Sequence, residues 1–243
     1  MESARKLYEA GKLNDAIDAL GAELRDNPSD AQRRTFLFEL LCFAGQWDRA
    51  DKQLDILAGM DLSGAPANSK DRRIGALLYR AAIGAERTRH EMFKTKTPEN
   101  SAAAVSGILN GQAYQSISDA DPRIGARLEV LAGGNYLWIP LEHIASIEME
   151  PPKRLRDLLW APATVRTGAG FHGAELGEVL LPVVSPFSCA HSDDNVRLGR
   201  LTVWESIEGG VEVPFGQKML LADGEEIPIL ELRKLEIRPV AVN

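Results

Sequence analysis

The sequence predicts a multidomain protein of α and α+β class, with a helical domain at residues 1–118 and a β-rich domain at residues 119–243. Two observations predict this division. In the first part, apolar residues recur with helical periodicity, and one segment repeats itself after 34 residues. In the second part, short apolar runs alternate with Gly and Pro, as in short strands joined by turns. Because 44% of the 243 residues are apolar, each part has enough material for a core.

The N-terminal repeat consists of two units, and its period of 34 residues is that of the tetratricopeptide hairpin. The predicted fold is therefore a tetratricopeptide-like α-α superhelix. The repeated glycines fall where the first helix of each hairpin must end, a position that tolerates positive φ. The repeated alanines fall where two helices cross closely. The identical pairs are Leu7 and Leu41, Ala10 and Ala44, Gly11 and Gly45, Ala16 and Ala50, and Leu20 and Leu54.

Two units are fewer than the three or more that usually bury a continuous solenoid core, so we expect further helices to cover the repeat. Apolar periodicity predicts one helix over residues 69–94 and another over 99–116, after a linker at 61–68. Ser29 or Asp30 is expected to cap the helix that opens the second unit.

The second domain is predicted to be mainly antiparallel, as a curled sheet or partial barrel. The segment 133–135, Gly-Gly-Asn, indicates a hairpin turn, and residues 154–159 indicate one helical turn lying on the sheet. The predicted strands are 127–131, 136–139, 144–149, 160–167, 178–182, 201–205, 211–214, 217–221 and 227–237.

Composition argues against several functions. A net charge of -7 disfavours a general nucleic-acid binder, which needs a local surplus of Lys and Arg. No apolar stretch approaches the eighteen residues of a membrane-spanning helix, and the polar N-terminus has no signal-peptide core. The two cysteines, Cys42 and Cys189, have no metal or redox spacing. We therefore expect a cytoplasmic protein with no nucleic-acid or membrane partner.

The sequence carries no recognisable catalytic motif. Residues 168–173 have only part of the spacing of a dinucleotide-binding loop, and predicted strands flank them, so they are interpreted as a hairpin loop. The four histidines lack partners at metal-ligand spacing, and His191 to Asp194 is interpreted as a solvated loop. We expect neither cofactor nor metal, and no enzymatic activity.

Three runs near the start of the second domain are specific enough to indicate a family. They are residues 119–125 (DADPRIG), 136–144 (YLWIPLEHI) and 148–163 (EMEPPKRLRDLLWAPA). Together they resemble the ImpE/TagJ (SciE-type) family, whose members join a tetratricopeptide-like region to a C-terminal domain with these signatures. The resemblance covers nearly the whole chain and becomes loose beyond about residue 185.

This resemblance implies an accessory protein of the bacterial type VI secretion system, working in the cytoplasm. Family members are understood to bind the N-terminal helix of the small sheath subunit, TssB, and to influence the sheath and its recycling by the ClpV ATPase. A helical-repeat surface commonly receives such an amphipathic helix. The candidate protein-binding residues are Trp47, Tyr136, Trp138, Arg156, Asp157 and Trp160.

Each of these residues also has a structural interpretation. Trp47 is typical of a core anchor, Trp138 and Trp160 are large apolar residues on strands, and Arg156 with Asp157 would form an ion pair. An alternative function is a regulatory module that binds a small ligand in the β domain, with residues 168–173 as its lid. A hydrolase would instead depend on histidines such as His172 or His191.

Overall fold

The computed structural model describes residues 2–59, 69–95, 104–168, 170–171, 173 and 175–238. Helices come first and strands follow, which confirms the predicted fold class. The predicted linker at 61–68 and residues 96–103 lie outside the described residues. The helices of the first part are α1 (Glu2–Glu9), α2 (Leu13–Asp26), α3 (Ala31–Phe43), α4 (Trp47–Gly59) and α5 (Ser69–Thr95).

The repeat forms two helical hairpins, α1 with α2 and α3 with α4. Gly11 and Gly45 end the first helix of each hairpin with φ of +72° and +67°, the conformation that glycine adopts without strain. Asp30 caps α3, because its carboxylate accepts a hydrogen bond from the backbone N–H of Arg33 at 2.9 Å. The alanines and leucines of the repeat are buried in the seam: Ala16, Ala50, Leu20 and Leu54.

The predicted helix over 69–94 is present as α5, whereas the one predicted over 99–116 is wrong throughout its described part. Strands β1 (Gly107–Leu109) and β2 (Gln112–Tyr114) stand there instead. Asn110 and Gly111 both have positive φ and form the tight two-residue turn that favours a hairpin. Because β1 also pairs with the last strand, the antiparallel sheet begins ahead of residue 118.

The β part is antiparallel throughout its described pairs. Its main sheet has the order β2-β1-β13-β6-β7-β8-β4-β5, a second sheet has the order β12-β11-β3, and β9 and β10 form a hairpin. The remaining strands are β3 (Ile117–Asp119), β4 (Arg127–Ala132), β5 (Asn135–Pro140), β6 (Ile144–Met149), β7 (Trp160–Thr167), β8 (Gly177–Pro182), β9 (Val203–Ser206), β10 (Glu212–Phe215), β11 (Met219–Ala222), β12 (Glu225–Pro228) and β13 (Lys234–Ile237).

Most of the predicted strands are confirmed, but the long one over 227–237 is broken. Strand β12 ends at Pro228, which lacks the N–H that a continuing ladder needs. A 3₁₀ turn at Ile229–Glu231 then buries Ile229 and redirects the chain, so that β13 joins the other sheet. The predicted helical turn at 154–159 is present as a 3₁₀ turn over Leu155–Leu158.

The described residues form two apolar cores, and one of them joins the helices to the main sheet. A first core lies inside the β part and contains residues such as Val130, Val165 and Leu181. The second joins the repeat helices and α5 to side chains of the sheet and its loops, namely Leu131, Tyr136, Leu159, Trp160 and Leu198. The helical part thus buries apolar surface against the β part, and such burial is the dominant favourable contribution to folding.

A loop of the β part docks on the repeat glycines. A Cβ atom added to Gly11 would lie 2.7 Å from Asn195, and one added to Gly45 would lie 2.7 Å from the Sγ atom of Cys189. Asp194, at the start of the short helix α6 (Asp194–Arg197), accepts a hydrogen bond from the first N–H of α2, that of Leu13, at 2.7 Å. Within the segment interpreted as a solvated loop, Asp194 is therefore docked on α2, whereas Ser192 and Asp193 are exposed.

Gly45→Ala should destabilise the protein by about 2 kcal/mol or more, since it combines strain at positive φ with a clash against Cys189. The measurement is the free energy of unfolding from urea denaturation. Gly21→Ala is the matched control: Gly21 lies inside α2 with no heavy atom within 4 Å of the added Cβ. It should be neutral or stabilising by up to about 1 kcal/mol. Equal effects of the two changes would contradict the docking role of Gly45.

Candidate functional site

Two of the predicted binding residues, Trp160 and Tyr136, are buried between α5 and the sheet. Trp160 is 2% exposed, stacks on Tyr79 and donates its indole N–H to the carboxylate of Glu86 at 3.0 Å. The hydroxyl of Tyr136 donates to Glu129 at 2.5 Å. Both side chains therefore hold α5 against the sheet and offer no surface to a partner.

Trp138 and Trp47 are half-buried, at two different places on the same junction. The ring of Trp138 packs edge-on against Phe93, its indole N–H donates to the Tyr136 hydroxyl, and the Arg127 guanidinium lies over its ring. Trp47 packs against His90 with ring centroids 6.0 Å apart. The predicted aromatic residues thus do not form one binding patch.

Arg156 and Asp157 do not form the ion pair that their adjacency suggests. Asp157 turns back and accepts the backbone N–H groups of Lys153 and Arg154, both at 2.9 Å, which caps the 3₁₀ turn. Arg156 points the other way: its guanidinium lies 4.7 Å above the ring of Tyr79 and 3.7 Å from the carboxylate of Glu39. Successive residues of a tight turn point in different directions, so the two side chains diverge.

Sequence reasoning missed a buried network of charges at the centre of the junction. Arg89 of α5 donates two hydrogen bonds to Glu129 of β4, at 2.7 and 3.0 Å. Lys218 pairs with Glu129 from the other side and also with Asp119. The signal in the sequence is a carboxylate within an apolar strand, since Glu129 stands between Leu128 and Val130.

The network keeps its charges because they are paired. Burial alone would raise the pKa of Glu129, but the positive charges of Arg89 and Lys218 lower it below its ordinary value. Burial raises the pKa of Asp119 to about 6, against the attraction of Lys218. The cavity beside Asp119, Glu129 and Lys218 has a volume of only about 20 Å³, too small for a substrate. The arrangement supports structure and does not provide a reaction site.

One candidate binding site is a groove between α5 and the sheet, with a volume of about 470 Å³. We call it the α5 groove; its boundary includes Leu78, Leu131, Pro152, Ala163, Glu178 and Leu180. Next to it on α5, Ile74, Leu77 and Leu78 are 56%, 62% and 50% exposed. Three large apolar side chains exposed together indicate an interaction surface, whereas single ones do not.

A second groove, with a volume of about 650 Å³, lies between the first helices of the two hairpins and the 3₁₀ turn. We call it the α1–α3 groove; its boundary includes Arg5, Tyr8, Phe36, Lys153, Arg154 and Leu158. Pro152 and Lys153 line both grooves. Of the predicted residues, Asp157 faces the α5 groove and Arg156 the α1–α3 groove.

In the loop that was expected to act as a lid, the described residues line neither groove. The described residues of that loop lie elsewhere: Gly170 stands near the ring of His143, and Phe171 packs against the core of the β part. His172 lies outside the described residues. In the part of the chain that is described, no group of His, Cys, Asp and Glu is arranged to hold a metal ion. Among the described helices, none is long and apolar enough to cross a membrane.

The fold and its grooves define a class: a helical-repeat protein whose repeat pair shares a core with an antiparallel β unit. The chain belongs to the ImpE family, whose sequence profile, described as ImpE protein, matches residues 111–236. The family resemblance of the sequence is thereby confirmed. The chain is also 33% identical to TagJ of Pseudomonas aeruginosa, described as a type VI secretion system accessory component. That alignment spans 272 positions and covers 97% of this chain and 91% of TagJ.

The fold is also similar to that of a solved protein. The crystal structure of protein VPA1032 from Vibrio parahaemolyticus superposes with a TM-score of 0.82 and covers 97% of each chain. Sequence identity is 21%, so this likeness shows the fold alone. It supports the order of helices followed by an antiparallel β part.

Glu129→Gln should destabilise the protein by about 3–5 kcal/mol, because Arg89 and Lys218 would keep buried charges without their common counter-ion. Urea denaturation at neutral pH measures the effect. Glu178→Gln, an exposed carboxylate on β8, is the control and should change stability by no more than about 0.5 kcal/mol. A small effect of Glu129→Gln would show that the network does not hold the junction.

Proposed function

We propose that this chain is a non-enzymatic accessory protein of a bacterial type VI secretion system, acting in the cytoplasm by binding the N-terminal helix of the small sheath subunit TssB. Membership of the ImpE family and the similarity to TagJ, an accessory component by its description, support the system. The observation that carries the binding mode is the α5 groove with its exposed apolar edge.

The α5 groove matches the helix-in-groove mode of recognition. Ile74, Leu77 and Leu78 stand at positions i, i+3 and i+4, so they form one apolar stripe along α5. The groove beside the stripe has leucines in its wall, Leu131 of β4 and Leu180 of β8. An amphipathic helix laid along α5 would bury the stripe on one side and enter the groove on the other.

The charges around the α5 groove select the polar face of the partner. Glu148, Glu150 and Glu178 line the groove and are exposed, whereas Lys153 is the one cation among its described lining residues. A helix with Lys or Arg beside its apolar stripe would be attracted and oriented by these carboxylates. We therefore propose that the bound TssB helix carries basic residues flanking its apolar face.

Binding at this groove would connect the protein to the sheath cycle. A protein that binds one state of a sheath subunit more tightly than another shifts the population towards that state. Holding the TssB helix would thus modulate sheath assembly or the recycling of the sheath by ClpV, with ClpV as an indirect partner.

The second candidate function, a module that binds a small regulatory ligand, would use the same groove. Its volume of about 470 Å³ lies within the range of small-molecule sites. The exposed stripe on α5 extends beyond the groove, however, and a small ligand would leave Ile74 and Leu77 in water. A polypeptide helix accounts for both features, so we favour it.

The double change Leu77→Asp with Leu78→Asp should weaken binding of a synthetic peptide of the TssB N-terminal helix by at least about 100-fold. Each buried leucine contributes about 1.5–3 kcal/mol, and 1.4 kcal/mol corresponds to a factor of ten. Isothermal titration calorimetry measures the dissociation constant. Leu201→Asp, at an exposed leucine outside the groove lining, is the control and should bind as the unchanged protein does.

Two outcomes would contradict the proposal. If the folded, unchanged protein did not bind the peptide at high micromolar concentration, TssB would not be the partner. If the peptide bound but the leucine changes left its affinity intact, the helix would dock on another surface.

A further inference from the structure

The α1–α3 groove differs in charge from the α5 groove. Arg5 of α1 and the neighbouring Lys153 and Arg154 are exposed on its rim, and Arg156 forms part of its wall. The carboxylates among its described lining residues are those of Glu9 and Glu39. Cations thus outnumber carboxylates in a protein whose net charge is -7.

Arg156 has hydrogen-bonding capacity that the described residues do not use. Its Nε atom is buried without a hydrogen-bond partner among the described residues. Its Nη1 atom lies 3.7 Å from the Glu39 carboxylate, which is too long for a hydrogen bond. Burial raises the pKa of Glu39 to about 7, so this carboxyl group carries only part of a negative charge near neutral pH. The Arg156 side chain is 18% exposed, so a carboxylate that enters the groove could accept a hydrogen bond from the accessible end of the guanidinium instead of from the buried Nε atom.

The walls of the groove are partly apolar. Tyr8 and Phe36 pack edge-to-face with ring centroids 5.7 Å apart, and both rings remain half-exposed. Leu155 and Leu158 of the 3₁₀ turn face them across the groove and are also half-buried. Cations on the rim and apolar side chains on the walls complement a segment in which acidic and apolar residues alternate.

We propose that the α1–α3 groove is a second binding site, which takes an acidic, partly apolar polypeptide segment. It goes beyond the proposed binding of a sheath helix, since the two grooves have opposite charge and share only Pro152 and Lys153 among their described lining residues. A nucleic acid is the less suitable occupant, because the apolar walls would face its polar sugar-phosphate backbone.

The test is fluorescence anisotropy with a labelled peptide in which Glu and Asp alternate with Leu. The full-length protein should bind it at least about tenfold more tightly than a matched peptide with Gln and Asn in place of the acids. Lys153→Glu with Arg154→Glu should weaken binding of the acidic peptide at least about tenfold. Arg5→Glu, on a different element, provides an independent variant should the double change impair folding.

Matched controls distinguish binding at the groove from long-range electrostatic attraction by the whole protein. Arg25→Glu with Lys52→Glu reverses two exposed charges outside the groove and should leave affinity unchanged. The Leu77→Asp, Leu78→Asp double variant should bind the acidic peptide as tightly as the unchanged protein but should lose affinity for the sheath helix. Failure of one proposal can therefore be distinguished from failure of the other. The inference would be overturned if the Gln/Asn peptide bound equally well, if both charge-reversal doubles acted alike, or if single-stranded DNA competed as effectively as unlabelled acidic peptide.

Discussion

The pairing of Arg89 with Glu129 is the interaction on which the arrangement of this molecule depends. The two side chains come from α5 and β4 and meet through two hydrogen bonds at the junction, where Lys218 and Glu86 are also buried and apolar residues of both parts surround them. Apolar packing alone would tolerate several ways of laying a helix on a sheet. A buried charge pair allows only the arrangement of helix and sheet in which both charges are paired, because leaving either charge unpaired costs several kcal/mol. The pair therefore fixes the position of α5, and with it the width of the α5 groove.

One of the three runs that indicate the family acquires a physical explanation from this geometry. In the run Asp157-Leu158-Leu159-Trp160, Asp157 caps the 3₁₀ turn and Trp160 anchors β7 to Glu86 of α5. Asp157 lines the α5 groove and Leu158 lines the α1–α3 groove, so the turn that carries them forms a wall between the two grooves, whereas Trp160 lines neither. The surfaces available for recognition are the side chains that the wall leaves exposed, Lys153 and Arg154 among them.

Local patterns predicted much of the fold but none of the grooves. The repeat and strands such as 144–149 follow from periodicities that neighbouring residues reveal. The helix predicted over 99–116 was wrong for its described residues, because the spacing of Val105, Ile108 and Leu109 also suits a helix. Pairing with β13, which lies far along the chain, makes β1 a strand instead. The grooves are formed by segments that are distant in sequence, so no local pattern reveals them. The leucines of α5 have the spacing of core residues, and only the structure shows that they are exposed.

A shared core and a shared ion network require the helical and β parts to unfold together. Differential scanning calorimetry of the full-length chain tests this most directly. The expected result is a single transition whose calorimetric and van't Hoff enthalpies agree. Two separate transitions, with the helices melting before the sheet, would contradict it, because the junction that shapes both grooves would then not bind the two parts into one unit.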